Sequence, residues 1–212
     1  MSKLVVKDLA GPASSSNKIY IASGSELDIA NSSGTINLAV DAGDIASGTL
    51  SNARLAAGTI IQVKYASKTD EQLITSTSYA DISDLSVSIT PSSTSSKILL
   101  IWNVVTGQDN NTGHCYLVPA RDSNDSIFVA DTDGSRTSAA NVGNMPYGNS
   151  AMQILSNSFL DSPSTTSATT YKMRLKSSNG SDIFINRSDR DTDSAAFDGR
   201  ACSSFIVMEV KA

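Results

Sequence analysis

The 212-residue chain predicts an all-β protein: a thin N-terminal segment followed by an antiparallel β-sandwich of jelly-roll-like outline. Three observations predict it. Serine and threonine make up about a quarter of the residues; both compete for backbone hydrogen bonds in helix interiors, and branched threonine suits a strand. Apolar residues recur at alternate positions or in runs of strand length, broken by Gly, Pro, Asn and Ser, the pattern of short strands joined by turns. No segment keeps a 3.6-residue apolar period over three turns, which an amphipathic helix would need.

Residues 1–58 stand apart. They hold one Tyr and neither Phe nor Trp, and their apolar residues come in short groups such as Leu4-Val5-Val6 and Ile19-Tyr20-Ile21, punctuated by glycines. Such a segment cannot enclose a core alone, but identical copies around an axis can bury what one copy exposes. A fibre or attachment segment and connector is expected over 1–58, with a head domain over 59–212.

From Thr59 the chain reads as successive strands. Ile60–Val63 opens the head, and Leu85, Val87 and Ile89 alternate with serines before Thr90-Pro91-Ser92 breaks the run. Lys97–Val105 is a continuous apolar run, predicting a central strand covered on both faces. Further strands are expected at Cys115–Pro119, Ser126–Ala130, Ala151–Phe159, Thr170–Lys176, Asp182–Asn186 and Ser203–Val210. Within Thr170–Lys176, Tyr171, Met173 and Leu175 face one way and Lys172, Arg174 and Lys176 the other. Leu50–Leu55 is expected to form a short helix or turn.

Composition narrows the function classes. A formal net charge of −5 without a basic run argues against nucleic acid, which demands a basic face. No apolar run approaches the roughly 18 residues that span a bilayer, and residues 1–10 lack a signal-peptide core, so no membrane insertion and synthesis in a reducing cytoplasm are expected. Cys115 and Cys202 lie far apart without metal spacing, and both are expected as buried free thiols.

Three stretches carry a resemblance. TSYADISDLSVSITPSSTSSKILLIWNVV (77–105), FLDSPSTTSATTYKMRLKSS (159–178) and the terminal SSFIVMEVKA are similar, in that order, to segments of the distal domains of bacteriophage tail fibres and related virion fibres. GTL…ARL within 44–66 resembles their collar-like connectors. The resemblance implies a virion protein, a homotrimer joined to other virion proteins through its N-terminal segment, with a head that contributes to host attachment through a surface glycan or protein. The alternatives are a capsid or tail decoration protein without receptor binding and, more weakly, a polysaccharide depolymerase. Residues 106–150 and 186–200 match no such pattern, and loops peculiar to this chain are expected there.

Candidate sites are few. His114 is the single histidine, and its neighbour Cys115 points to the opposite face of a strand; no nucleophile motif surrounds either, so no catalytic residue is assigned and the chain is expected not to be an enzyme. Asp189–Asp193 places carboxylates at alternate positions, as a calcium loop does, but Ser194 and Arg200 stand where that loop needs Gly and Glu. Arg187, Arg190 and Arg200 are expected to neutralise these acids, and no metal or cofactor is predicted. Trp102 is expected in the core. For receptor contact the candidates are Asn141, Asn144, Tyr147 and Asn149 in a Gly/Asn/Pro loop, with Arg190, because binding residues concentrate on loops carried by a rigid scaffold. The Asn-x-Ser/Thr triplets at Asn31, Asn110, Asn124, Asn179 and Asn186 are expected by chance in so Ser/Thr-rich a chain.

Overall fold

The computed structural model describes residues 52–108, 113–124, 126–144 and 148–212; residues 1–51, and with them the expected fibre segment, lie outside the described residues. A compact unit runs from Leu50 to Ala212. Ten strands follow a one-turn 3-10 helix at Asn52–Arg54: β1 Ile60–Lys68, β2 Gln72–Ile74, β3 Ala80–Ile89, β4 Lys97–Gln108, β5 Cys115–Arg121, β6 Asn141–Gly143, β7 Gln153–Asp161, β8 Thr169–Ser177, β9 Ile183–Ile185 and β10 Ser203–Val210. The described residues form an all-β sandwich of two antiparallel sheets. One sheet runs β1-β10-β4-β9-β2 with β7 on the other edge of β4, and the second runs β3-β8-β5-β6.

The sheets meet through alternating side chains. Ile98, Leu100 and Trp102 of β4 and Phe205 and Val207 of β10 face Leu85, Val87 and Ile89 of β3, Tyr171, Met173 and Leu175 of β8, and Leu117 of β5, all within one buried cluster. Each fully buried side chain of this kind contributes about 1.5–3 kcal/mol. On β8, Lys172, Arg174 and Lys176 point outward as the alternation predicts, and the first two pair with Asp81 of β3.

Most expected strands form, with two differences in kind. Ser126–Ala130 makes no ladder; it is an extended loop anchored by single bonds, Ile127 N–H to Pro119 O and Ala130 N–H to Ala139 O. Its Phe128 ring stacks on Phe159 at 4.7 Å and meets Trp102 edge-on at 6.4 Å, so the apolar pattern there serves as a cover rather than a strand. The second difference lies in β4, which has neighbours on both edges but is not covered on both faces throughout. From Lys97 to Asn103 burial alternates, and Leu99 and Ile101 are only half-buried; both faces close only from Val104 onward. The short strands β2 and β6 carry too few residues to show a period.

The stretches that carry the fibre resemblance supply part of the frame. β3, β4 as far as Val105, the end of β7, β8 and β10 lie within them and pair with one another as β3–β8, β4–β7 and β4–β10, while β1, β2, β5, β6 and β9 lie outside them. At one end of the sandwich Glu209 of β10 accepts from the Ser92 amide (2.6 Å), the Ser92 hydroxyl (2.7 Å) and Gln62 Nε2 (3.2 Å), tying the Pro-Ser-Ser turn to the C-terminal strand. Asp161 Oδ2, closing β7, accepts from Tyr171 Oη at 2.7 Å and Arg121 Nη1 at 2.6 Å. That pair staples both ends of the turn 162–168, and burial with the Asp161 hydrogen bond pushes the Tyr171 phenol far up.

Burial pushes the Glu209 carboxyl up, but its bonds from Ser92, Ser96 and Gln62 outweigh burial and leave it below the ordinary range. A carboxyl depressed in the folded state contributes stability above its unfolded value of about 4.3, and that contribution is lost as pH falls through the folded value. Stability is therefore expected to fall with acid below about pH 4.3, and Glu209→Gln should flatten that slope. Urea unfolding midpoints from pH 6 downward check it; an unchanged slope in the variant would remove Glu209 from the account.

Candidate functional site

The loop from Arg187 to Ala201 connects β9 to β10, and a bridge between Arg187 and Arg200 closes its base. Below it sits Asn186, buried and at φ 65°, a left-handed conformation that Asn tolerates better than most residues. Its side chain donates to Lys68 O and Asp70 O, both at 2.9 Å, and accepts from Ser203 Oγ at 2.6 Å. Ser203 Oγ in turn accepts from the Val105 amide at 3.0 Å. One side chain thus fastens β1, the β1–β2 turn and β10, and the loop springs from a fixed point.

Within the loop, Asp198 is the organiser. It accepts from Arg190 Nε at 3.1 Å and Nη2 at 2.9 Å, from Ser188 Oγ at 3.1 Å, and from both the amide and the hydroxyl of Thr192. The Thr192 hydroxyl and the Arg190 guanidinium hold its carboxyl down to about 2. A second cluster joins the loop to the start of β2: Arg187 Nε lies 2.7 Å from Glu71, and Arg200 Nη1 lies 3.2 Å from Glu71 and 2.7 Å from Asp191. The Arg187 guanidinium also covers the Phe184 ring at 3.6 Å. Between these clusters and the outer turn of the loop lies an open polar hollow of about 410 Å³, lined by Asp191–Ala195 and Asp198–Arg200. Phe197 stands beside it, largely exposed, with the Arg190 guanidinium 5.3 Å from its ring centre.

The expected neutralisation is found at Asp191, which pairs with Arg187 and Arg200, while Arg190 turns instead to Asp198, outside the Asp189–Asp193 run. Among the described residues no three His, Cys, Asp or Glu side chains gather in a way that could hold a metal. The structure brings Arg190 and Asn149 together, since the Arg190 amide donates to Asn149 O at 2.9 Å. Asn144 and Asn149 are exposed. Asn141 is engaged in the fold: its Oδ1 accepts from Trp102 Nε1 at 2.9 Å and its Nδ2 donates to Ser156 O at 3.2 Å. Tyr147 lies outside the described residues. Sequence reasoning passed over Asp198, Thr192 and Phe197; the alternation of Arg and Asp across 187–200 signalled internal pairing but not which acid would be central.

The remaining candidates take ordinary places. His114 is exposed ahead of β5 and stacks on Tyr116 at 6.4 Å, while Cys115 is buried on the other face; burial pushes the Cys115 thiol up to about 11, so it is a poor nucleophile. Cys202 corrects the expectation of two buried thiols. It is free but exposed, because β10 begins only at Ser203 and Cys202 still belongs to the loop. Trp102 is fully buried in the core as expected. Asn124 and Asn179 are exposed and Asn186 is buried. Among the described residues no helix is long and apolar enough to cross a membrane. No protein-family model and no curated protein matches the chain.

Proposed function

We propose that this chain is a phage virion structural protein, a trimeric tail fibre whose sandwich head contributes to host attachment through its unmatched loops. The observation that carries the reading is the division of labour within the head. The stretches similar to virion-fibre segments supply β3, most of β4, β8 and β10 of the frame, whereas the segments without such similarity supply β5 and β6 and the loop surface around Asn149 and Arg190. A loop pinned internally by Asp198 and at its base by Asn186 offers a rigid platform, and its exposed Phe197 and neighbouring amides and carboxylates suit a sugar's apolar face and hydroxyls. Several shallow sites on one particle multiply through effective concentration, so no deep pocket is needed.

Adsorption of the purified full chain to a panel of bacterial strains tests the attachment role, and labelled antibody on virions locates the protein. Binding to a subset of strains that is weakened by Phe197→Ala and Asn149→Ala supports the reading. Absence of adsorption across the panel, with label on the capsid, would favour a decoration protein instead.

A further inference from the structure

The two outer faces of the sandwich differ in kind. On the second sheet the outer face carries Lys172, Arg174 and Lys176, paired with Asp81 or laid over the Tyr79 and Tyr116 rings, the ordinary dress of a solvated sheet. Across β1, β10, β4 and β7, the outer face of the first sheet carries one charge at its end, Lys97, whose Nζ donates to Ser162 Oγ at 2.7 Å, and none in the rows that follow. The ladder sets Val63, Met208, Leu99 and Leu160 side by side across β1, β10, β4 and β7, and beside them Tyr65, Ile206, Ile101 and Ser158. From these rows to Asn103 and Val105 of β4, this face presents no Asp, Glu, Lys or Arg.

Exposure is uneven across it. Leu99, Ile101, Ile206 and Met208 in the middle are half-buried, whereas Val63 (57%) and Tyr65 (62%) at the β1 edge and Leu160 (50%) at the β7 edge stand out. Four strands about 4.8 Å apart, over the stretch of β4 from Leu99 to Val105, cover roughly 450 Å² of flat sheet, a little over half the about 800 Å² per partner of a standard protein interface.

We propose that this uncharged face is the surface on which copies of this chain meet around a three-fold axis, the β1 edge of one copy against the β7 edge of the next. An uncharged apolar face is matched by another like it, and a second copy supplies one, while the charged outer face of the second sheet would strand its lysines against it. The placement of the most exposed apolar side chains at the two opposite edges fits a closed ring, in which each copy touches two neighbours through different edges. The inference rests on the trimeric reading above and names its interface.

The test uses the full chain. Its mass in solution, followed by sedimentation over a dilution series, is compared with that of the double variant Val63→Glu/Leu160→Glu and of Val142→Glu, an exposed position on β6 of the other sheet. A trimer whose association constant falls at least ~100-fold in the double variant, as expected when two buried apolar side chains are lost per contact, and stays unchanged in Val142→Glu supports the proposal. A trimer that survives the double substitution overturns the face and leaves the trimeric reading standing; a monomer at every concentration overturns both. Should the double variant fail to fold, hydroxyl-radical footprinting of the unmodified chain decides. Tyr65 and Met208 should become protected relative to Phe197 as concentration rises. Constant reactivity, or protection that ignores dilution because the chain covers its own face, would overturn the proposal.

Discussion

Asn186→Ala is expected to lower the unfolding free energy by about 3–5 kcal/mol, the largest effect of any single polar substitution in the head. The substitution removes three buried side-chain hydrogen bonds and leaves the Lys68 and Asp70 carbonyls and the Ser203 hydroxyl short of a partner; stranding such buried groups costs about 1–3 kcal/mol. It also forces a residue with little tolerance for the left-handed region to remain at φ 65°, at a cost of about 1–2 kcal/mol. The two contributions separate experimentally. Asn186→Gly loses the same hydrogen bonds without the backbone strain, so it should retain about 1 kcal/mol more stability than the alanine variant. Urea denaturation of the three proteins measures both differences. Equal stability of the glycine and alanine variants would mean that hydrogen bonding alone fixes this position.

Trp102→Ala is the second large expectation, a loss of about 3–5 kcal/mol from truncating a fully buried aromatic ring. In a domain of this size that lowers the melting temperature by roughly 10 °C. The ring fills the space between β4 and the Phe128 cover, and its indole N–H is the partner of Asn141. Trp102→Phe keeps most of the apolar contact and loses the hydrogen bond, so a smaller loss of about 1–2 kcal/mol is expected. Calorimetry on the two variants distinguishes a packing residue from a surface one, and a melting temperature unmoved by Trp102→Ala would contradict the buried placement.

The fold was legible where side chains carry a period. Met173 and Leu175 alternate with Lys172, Arg174 and Lys176, and β8 forms with that alternation intact. The run Lys97–Val105 was legible as a central strand but not in how it is covered. Apolar residues on both faces read the same whether the second face meets the core or remains half-exposed, as Leu99 and Ile101 do. Ser126–Ala130 shows the converse: Ile127 and Phe128 look like a strand, yet their side chains pack on the cluster while their backbone makes only isolated bonds. At the candidate site, sequence indicated that the arginines of 187–200 would neutralise its acids. It could not reveal that Asp198 gathers Arg190, Ser188 and Thr192, nor that Asn141 turns inward to Trp102, because those partners are set by loop closure and by contacts between strands 39 residues apart.

The pairing of β1 with β10 has a mechanical meaning. Ile60 lies opposite Val210 and Lys68 opposite Ser203, while Gly58 N–H donates to Lys211 O at 2.7 Å and Lys211 N–H to Thr59 O at 2.9 Å. The chain therefore enters β1 at one end of this ladder, and the loop 187–201 enters β10 at the other. A pull on the N-terminal side of Thr59, resisted by something gripping that loop, draws two antiparallel strands past each other along their length. The rungs from Ile60 to Lys68 then share the load and must yield together, whereas an unzipping pull would break them one at a time. A head anchored at its base and held at that loop is loaded in its strongest direction.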